Sequence, residues 1–266
     1  MNLTARTADK FDLYLQSVQT PHSDARFLVR RFFKLANRPL RVLREDFCGT
    51  ANLLCEFVRL HKNNRGIGID LDQRPLRWCK RVNFRSLTVP EQARIQLLQK
   101  DVMAARTEPA DMIVALNYSY SVLKTREELL RYLRIAKKAL SPGGAFVLDA
   151  HGGSSVPIED QEVWDIDGFK YVWHVARFDP LSHRIVCKIH FAFSDGSMLR
   201  NAFVYDWRLW SLPELQELFE AAGFRNIHVL WESTDSRTNL GNGVLRRVRE
   251  GHAEGAWYAM VVGQNL

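Results

Sequence analysis

Three acidic residues among the first hundred or so positions each stand where a short apolar segment ends. They are Glu45, Asp70 and Asp101. A carboxylate accepts hydrogen bonds from an ammonium group, a ribose diol or an adenine amino group. A small turn, Cys48-Gly49-Thr50, lies close to the first acid and allows the backbone to approach a ligand closely. One such acid is more often a helix cap or a surface charge, but three in succession indicate a ligand with several polar groups.

A dinucleotide is the first alternative for that ligand. Its binding fingerprint is G-x-G-x-x-G at the start of a helix, because a pyrophosphate must contact bare backbone at the helix N-terminus. The corresponding segment, residues 47–52, reads FCGTAN and contains one glycine. The sequence therefore disfavours a nicotinamide or flavin dinucleotide.

The chain around these acids alternates apolar segments typical of strands with amphipathic segments typical of helices. The strands predicted in the first 150 residues are 40–43, 66–70, 95–98, 110–116 and 145–150. The helix before the last of them is the best defined, because Thr125 and Glu128 form a T-x-x-E capping box and the SPGG of residues 141–144 ends it. Such alternation predicts a doubly wound α/β sheet, which binds ligands at the carboxyl ends of its strands.

A different pattern follows Gly152-Gly153. Residues 169–207 alternate apolar and polar positions as antiparallel strands do, with Ile185, Cys187, Ile189, Phe191 and Phe193 on one side. The SDGS of residues 194–197 has the composition of a hairpin turn. These residues therefore predict an antiparallel β insertion after the fifth strand.

The first pattern returns after the insertion. Ser211 and Glu214 form a second capping box at the start of a helix. Two further strands are predicted at 226–231 and 257–262, with a polar, glycine-rich excursion between them. The whole chain thus predicts one α/β domain with a seven-stranded, mostly parallel sheet, helices on both faces, and the β insertion.

Composition and charge limit the classes of function. The hydrophobic fraction of 46% and the charged fraction of 25% are those of a globular protein, and no apolar run is long enough to cross a bilayer. The N-terminus is charged where a secretory signal is apolar, so we expect a cytoplasmic protein without a membrane partner. The four cysteines are isolated and the eight histidines scattered, so no metal site is predicted.

The net charge of +7 leaves a nucleic-acid partner open. However, the basic residues are spread over several predicted helices and alternate with apolar positions, as on solvated helix faces. We therefore favour a basic solvated surface over a nucleic-acid interface.

Several segments resemble the motifs of class I S-adenosylmethionine (SAM) dependent methyltransferases. The similar segments are 43–50, 66–72, 100–102, 110–118, 140–149 and 210–224. The first of them, LREDFCGT, resembles the first motif of that superfamily in the variant that reads E-D-F-C-G-T. The resemblance covers most of the chain from residue 40 onward. It implies a Rossmann-like sheet, methyltransferase activity and SAM as the cofactor.

The resemblance also implies a set of cofactor-binding residues. These are Tyr14, Glu45, Phe47, Cys48, Gly49, Thr50, Asp70, Leu71, Asp101, Val102 and Asn117. Glu45 would bind the α-amino group of SAM, Asp70 the ribose hydroxyls and Asp101 the adenine amino group. The turn at residues 47–50 would pass beside the methionine portion, Leu71 would pack on adenine next to Val102, and Asn117 would face the sulfonium.

The first motif departs from the usual acid-x-G-x-G-x-G. Phe47 and Ala51 occupy the outer glycine positions. Phe47 is expected either to reshape the pocket or, less favoured, to obstruct it. Because Gly49 is retained, we expect SAM binding to survive.

The methyl acceptor must lie near the end of the fourth strand, where the chain reads NYSY at residues 117–120. This loop lacks the two prolines of the N-P-P-Y loop with which similar nucleic-acid methyltransferases hold a flipped base. That difference favours a small-molecule acceptor with a nitrogen or oxygen nucleophile. Asn117, Tyr118 and His151 are the candidate catalytic residues. His151 is either a general base or, more commonly for a lone histidine near glycines, a structural residue.

The resemblance further implies three regions of the chain with different functions. Residues 1–39 would form a helical lid that carries Tyr14, residues 40–153 and 209–266 would form the SAM-binding domain, and residues 154–208 would cover the acceptor site. Within that insertion, Asp206 and Arg208 are the polar residues of most interest. An RNA or protein methyltransferase and a non-catalytic SAM-binding protein stay open as alternatives, and the protein is expected to be a monomer or a homodimer.

Overall fold

The computed structural model of the protein describes residues 3–235 and 241–266. The strands in these residues are β1 (Val42–Asp46), β2 (Arg65–Asp70), β3 (Ile95–Gln99), β4 (Ala110–Ala115), β5 (Leu140–Gly152), β6 (Gln161–Ile166), β7 (Phe169–Asp179), β8 (Arg184–Ala192), β9 (Met198–Arg208), β10 (Arg225–Thr234), β11 (Gly241–Val248) and β12 (Trp257–Gln264). Eight of them form the central sheet, and β6 to β9 form a second sheet.

The strand order of the central sheet is β11-β10-β12-β5-β4-β1-β2-β3. Strands β1 to β5 are parallel, and β12 pairs antiparallel with both β5 and β10. The chain reverses its direction of progress between β1 and β4, since β1 pairs with β2 on one side and with β4 on the other. A doubly wound sheet binds ligands at such a switch point, at the carboxyl ends of the strands.

Helices cover both faces of this sheet. They are α1 (Lys10–Val18), α2 (Pro21–Ala36), α3 (Asn52–Arg59), α4 (Gln73–Arg81), α5 (Val89–Gln92), α6 (Arg126–Lys138) and α7 (Leu212–Ala221), with short 3-10 turns at Asn83–Ser86 and Ser119–Val122. The apolar sides of α6 and α7 pack on one face of the sheet, and those of α2 and α3 pack on the other. Both predicted capping boxes are present, at Thr125 and at Ser211. The predicted α/β class with helices on both faces is confirmed.

The central sheet has one strand more than the seven that the sequence predicted. Strand β11 lies in the segment predicted as a polar excursion, and it pairs antiparallel with β10 at the edge of the sheet. Its residues, GNGVLRRV, lack a continuous apolar alternation, because an edge strand has only one neighbour and commonly carries charge. Residues 236–240 of the same excursion lie outside the described residues.

Several strands of the central sheet extend beyond their predicted bounds, β1 and β5 among them. Strand β1 continues past Leu43 through Asp46, because Glu45 pairs with Gly68 of β2 and with Val114 of β4 despite its charge. Strand β5 begins at Leu140 rather than Ala145. Glu45 therefore lies within a buried strand, not in the loop after it.

The second sheet has the order β6-β7-β8-β9 and is antiparallel throughout. The predicted common face of Ile185, Cys187, Ile189 and Phe191 is buried. Helix α1 packs against this apolar side through Leu13. The N-terminal segment therefore connects the second sheet to the rest of the molecule.

Candidate functional site

The loop between β1 and α3 has an unusual backbone. Phe47, Gly49 and Ala51 all adopt the left-handed conformation, with φ of 57°, 52° and 49°. These are the three positions at which the related motif carries glycine, and a side chain there costs about 1–2 kcal/mol per residue. The chain thus keeps the loop conformation of the motif while giving up two of its glycines.

Hydrogen bonds from the loop amides to residues of β2 fix this loop. The amide of Gly49 donates to Asp70 Oδ2 over 2.7 Å, and the amide of Cys48 donates to the carbonyl of Ile69 over 3.0 Å. Cys48 and Thr50 are buried. Asp70, predicted as a ligand residue, is therefore also a support of the loop, which sequence reasoning did not show.

The ring of Phe47 packs into the core between the central sheet and α6. It packs edge-on against Tyr132 of α6, with 5.7 Å between ring centroids. The Tyr132 hydroxyl donates to Asp46 over 2.8 Å, and the fully buried Arg44 pairs with the same carboxylate. Phe47 is thus held by the core on the α6 face of the sheet.

Glu45 is the most unusual acid in the structure. Its side chain is 6% exposed, and its Oε2 atom has no hydrogen-bond partner among the described residues. Burial raises the pKa of this carboxyl well above 4.5, and the surrounding Cys55, Asp70, Asp24 and Asp46 raise it further. A buried carboxyl without a cation fits a ligand ammonium group, because an unpaired buried polar group is otherwise unfavourable.

Asp70 and Asp101 lie at the ends of β2 and β3, as predicted. Each uses part of its carboxylate on the backbone: Asp70 Oδ1 accepts from the amide of Asp72 over 2.8 Å, and Asp101 Oδ1 accepts from the amide of Met103 over 2.8 Å. A carboxylate has about four acceptor positions, so both retain capacity for a ligand. Burial raises the pKa of Asp70.

The two apolar residues predicted to flank adenine differ in exposure. Leu71 is 72% exposed, so its apolar surface is free to pack on a flat ligand. Val102 is buried in the core beneath. Both follow the acids at the ends of β2 and β3 directly in the chain, so they stay at the same edge of the sheet.

The loop after β4 carries two of the candidate catalytic residues. Asn117 and Tyr118 both have left-handed backbone, with φ of 56° and 57°. Their amides donate to the two oxygens of Asp149 on β5, over 2.8 and 2.9 Å. Burial raises the pKa of Asp149 to about 7. Asp149 was not among the residues predicted for the site.

An aromatic wall stands beside this loop. The rings of Tyr118 and His151 are 3.9 Å apart between centroids, and the rings of Trp207 and Tyr258 contact the other edges of Tyr118 at 6.3 and 6.4 Å. Tyr205 stacks on Trp207 at 4.3 Å. The wall therefore combines residues from β5, β9, β12 and the loop after β4.

Burial lowers the pKa of His151 to about 4. The imidazole is consequently neutral at pH 7 and a weak proton acceptor, because an effective general base has a pKa near the working pH. Its contact with the Tyr118 ring favours the packing interpretation of His151 over the general-base interpretation.

The two polar residues singled out in the insertion lie away from the aromatic wall. Asp206 alternates with Tyr205 and Trp207 along β9 and forms surface ion pairs with Lys124 and Arg184. Arg208 pairs with Glu214 of α7. These contacts stabilise the junction between the two sheets rather than the wall itself.

Tyr14 is a residue of α1, and its side chain packs against the second sheet. Its ring is 5.0 Å from that of Phe203, and burial raises the pKa of its hydroxyl to about 12. The same helix is anchored to the central domain, because Asp9 accepts a 2.7 Å hydrogen bond from the indole of Trp78 on α4. Tyr14 is therefore held in place from two sides.

Two features are absent from the described residues, a metal-binding cluster and a membrane-spanning helix. No group of three or more His, Cys, Asp or Glu side chains is arranged to hold a metal ion in residues 3–235 and 241–266. Within the same ranges, no helix has the length and apolar character needed to cross a membrane.

Sequence reasoning missed Asp149 and Tyr258. Asp149 had a signal, since it is the acid that ends the similar segment 140–149 in the fifth strand, but no role at the ligand was assigned to it. Tyr258 stands at the start of β12, and only the antiparallel pairing of Tyr258 with His151 brings it to this edge of the sheet.

No protein-family model matches the chain, and no curated protein is similar to it in sequence. Solved structures of similar fold include a SAM-dependent methyltransferase from Clostridium acetobutylicum, with a TM-score of 0.70, 17% identity and 96% of each chain covered. They also include CalS10, an amino pentose methyltransferase from Micromonospora echinaspora, with a TM-score of 0.67, 15% identity, and coverage of 100% of this chain and 99% of that one.

A further similar structure is the sugar N-methyltransferase KedS8 from Streptoalloteichus, with a TM-score of 0.64, 18% identity, and coverage of 99% of this chain and 94% of that one. The likeness extends over nearly the whole of each chain, so it includes the second sheet as well as the central one. This chain therefore has the fold of the class I SAM-dependent methyltransferases.

Proposed function

We propose that the protein is a SAM-dependent methyltransferase that acts on a small-molecule amine. The observation that carries the proposal is Glu45, a buried carboxyl with an unpaired oxygen at the switch point of the sheet. The ammonium group of SAM supplies the missing partner. The resemblance of the first motif and the fold of the chain independently agree with this assignment.

The residues present fit the rest of SAM. Asp70 has acceptor capacity for the ribose hydroxyls, and Asp101 has capacity for the adenine amino group. Leu71 presents an exposed apolar surface beside them. When bound, SAM supplies an electrophilic methyl group on a sulfonium.

The work of the protein itself is to position and to exclude water. Alignment of two reactants contributes about 7–11 kcal/mol to lowering a barrier, so no side chain needs to form a covalent intermediate. The loop at Asn117 and Tyr118 stands at the end of β4, next to the switch point. The aromatic wall beside it replaces water with apolar surface, and Tyr14 closes the side facing the second sheet.

A nitrogen nucleophile is favoured over oxygen for two reasons. Two of the similar structures are described as an amino pentose methyltransferase and a sugar N-methyltransferase. In addition, the ring faces of the aromatic wall attract an amine in its protonated form, and this amine releases a proton to solvent before its lone pair attacks the methyl group. An alcohol gains less from the rings.

Calorimetric titration with SAM tests the cofactor assignment. Wild-type protein is expected to show saturable binding to one site, and Asp70→Ala is expected to weaken it at least tenfold, because Asp70 both faces the ligand and holds Gly49. Asp165→Asn is the matched control, since Asp165 is an exposed acid on β6 that pairs with Lys170. Absence of SAM binding by the wild-type protein would refute the proposal.

Release of S-adenosylhomocysteine tests the reaction. We expect turnover with primary or secondary amines, for which D-glucosamine and simple amino alcohols are suitable probes, and none with the corresponding alcohols. Turnover with RNA or with a protein substrate in place of amines would assign a different acceptor class. Saturable SAM binding without turnover on any of these would support a non-catalytic SAM-binding protein instead.

A further inference from the structure

We infer that Asp149 is the positioning residue of the acceptor site: its carboxylate holds the Asn117–Tyr118 backbone and thereby sets the Tyr118 ring in the aromatic wall. The inference rests on the proposed function for its meaning, but the geometry behind it does not depend on the ligand. Asp149 is 3% exposed and lies on β5 next to β4 in the sheet.

The backbone that Asp149 holds is strained. Two consecutive residues with side chains, Asn117 and Tyr118, adopt the left-handed conformation, which glycine adopts freely, asparagine tolerates and tyrosine rarely adopts. Each amide donates to a different oxygen of the same carboxylate, over 2.8 and 2.9 Å. Strain of this kind persists only where the surroundings fix it, and it concentrates at functional sites.

The carboxylate also reaches a second member of the wall. The Tyr258 hydroxyl lies 3.5 Å from Asp149 Oδ2, and the rings of Tyr258 and Tyr118 are 6.4 Å apart. One side chain thus links the loop after β4 to β12. Removal of the carboxylate is therefore expected to displace Tyr118 with respect to both Tyr258 and His151.

The environment of Asp149 makes this support sensitive to pH. The titratable groups around it are Tyr14 of α1, Tyr118 and Tyr120 of the loop after β4, His151 of β5 and Tyr258 of β12. None of these is cationic at pH 7, because the pKa of His151 is lowered to about 4. With burial as the main cause, the pKa of Asp149 rises to about 7.

The two protonation states of Asp149 differ in what they can accept. The carboxylate accepts both amides, whereas the acid presents a hydroxyl that competes with one of them. The loop is consequently held by two hydrogen bonds above pH 7, and one of the two is weakened below it. The Tyr118 ring, which follows the loop backbone, is expected to move with it.

Nuclear magnetic resonance of the full-length, SAM-free protein tests this inference. Between pH 5.5 and 8.5 the amide signals of Asn117 and Tyr118 are expected to shift together with a midpoint near 7, and the ring protons of His151 are expected to follow with the same midpoint. Burial lowers the pKa of His151 to about 4, so a step near 7 in its ring signals that disappears in Asp149→Asn reports the movement of Tyr118. Amide shifts that stay constant or move with different midpoints would overturn the inference.

Two variants complete the test. Asp149→Asn is expected to abolish the common step, because the amide side chain does not titrate. Asp111→Asn is the matched control, since Asp111 also accepts two consecutive amides, those of Arg41 and Val42, at the other end of the strands. It is expected to keep the step near pH 7.

The result is separable from that of the proposed function. If the wild-type protein fails to bind SAM but shows the common step, the proposed function is wrong and the role of Asp149 in holding the loop stands. If SAM binds and the step is absent from the wild-type protein, the cofactor assignment stands and the role of Asp149 in holding the loop is wrong. Should Asp149→Asn not fold, the titration of the wild-type protein still decides.

Discussion

The two faces of β1 treat neighbouring carboxyl groups in opposite ways. Asp46 faces α6, where Arg44 and the Tyr132 hydroxyl provide it with hydrogen bonds and a charge partner. Glu45 faces α2 and α3, where, within residues 3–235 and 241–266, it meets further acids and no cation. Both are buried, one residue apart on the same strand. Asp46 is therefore satisfied within the protein and Glu45 is not, which supports the role proposed for Glu45 at the ammonium group of SAM.

The largest expected effect is a loss of stability on substitution of Asp46, the acid that has protein partners. Asp46→Ala leaves the guanidinium of Arg44 buried without its partner, and removal of one member of a buried pair costs about 3–5 kcal/mol. Urea denaturation is the appropriate measurement. A loss below about 1 kcal/mol, the size expected for an exposed pair such as that of Asp165, would show that the Arg44–Asp46–Tyr132 network does not stabilise the loop as described.

Substitution of Glu45, which has no hydrogen-bond partner for its Oε2 atom among the described residues, is expected to weaken SAM binding and not the stability of the protein. Glu45→Gln retains shape and loses charge, so SAM binding should weaken by about 10- to 100-fold, as for a lost charge-assisted hydrogen bond of about 1.5–3 kcal/mol. At pH 5, the free energy of unfolding without SAM should change by less than about 1 kcal/mol, since no protein partner is lost. Unchanged SAM affinity in calorimetry would contradict the role given to Glu45.

The pH dependence of stability gives a smaller effect with a defined sign. The pKa of Glu45 is raised in the folded protein above its ordinary 4.5. Its contribution is therefore most favourable below pH 4.5 and is lost as the pH rises through the folded-state pKa. Without SAM, the melting temperature of Glu45→Gln relative to wild type should increase as the pH rises from 5 to 8.

The same comparison of melting temperatures with SAM present provides the control. Saturating SAM supplies a cation to Glu45 in the wild-type protein, so the wild type should gain more from the ligand than the variant does at every pH above 5. A pH-independent difference between the two proteins, with and without SAM, would show that Glu45 does not titrate in this range.

The smallest expected effect concerns the loop that follows β1. Ala51→Gly relieves a left-handed alanine but removes a fully buried methyl group and increases the freedom of the unfolded chain. These contributions nearly cancel, so the free energy of unfolding should change by less than about 0.5 kcal/mol and SAM affinity by less than twofold. A large gain in SAM affinity would indicate that the missing glycines weaken the site.

The sequence could predict the cofactor side of the molecule because its parts are local. The turn at 47–50, Asp70 and Asp101 lie at or just after strand ends, where strand and helix periodicity placed them, whereas Glu45 was predicted to follow β1 and lies within it. The left-handed backbone at Phe47 and Ala51 had no signal in those residue types. It depends on Tyr132 and Asp70, which lie far away in the chain.

The acceptor side could be predicted only in outline, because pairings between distant residues create it. The contact of Tyr258 with Tyr118 depends on β12 running antiparallel to β5, and the contact of Trp207 depends on how the second sheet meets the first. The extra edge strand β11 was missed for a similar reason, since its residues acquire strand structure from β10. Local patterns contain none of these relations.

Proton release on SAM binding tests the central claim most directly. The wild-type protein is titrated with SAM at pH 6.5 in phosphate and in imidazole, two buffers with different heats of ionisation. The α-amino group of SAM is charged at this pH, so transfer of Glu45 to its ionised form should release up to one proton per SAM bound, and the observed heats should differ between the buffers accordingly. Saturable binding with equal heats in both buffers, or no binding at all, would contradict the account of Glu45 as the residue that awaits the ammonium group.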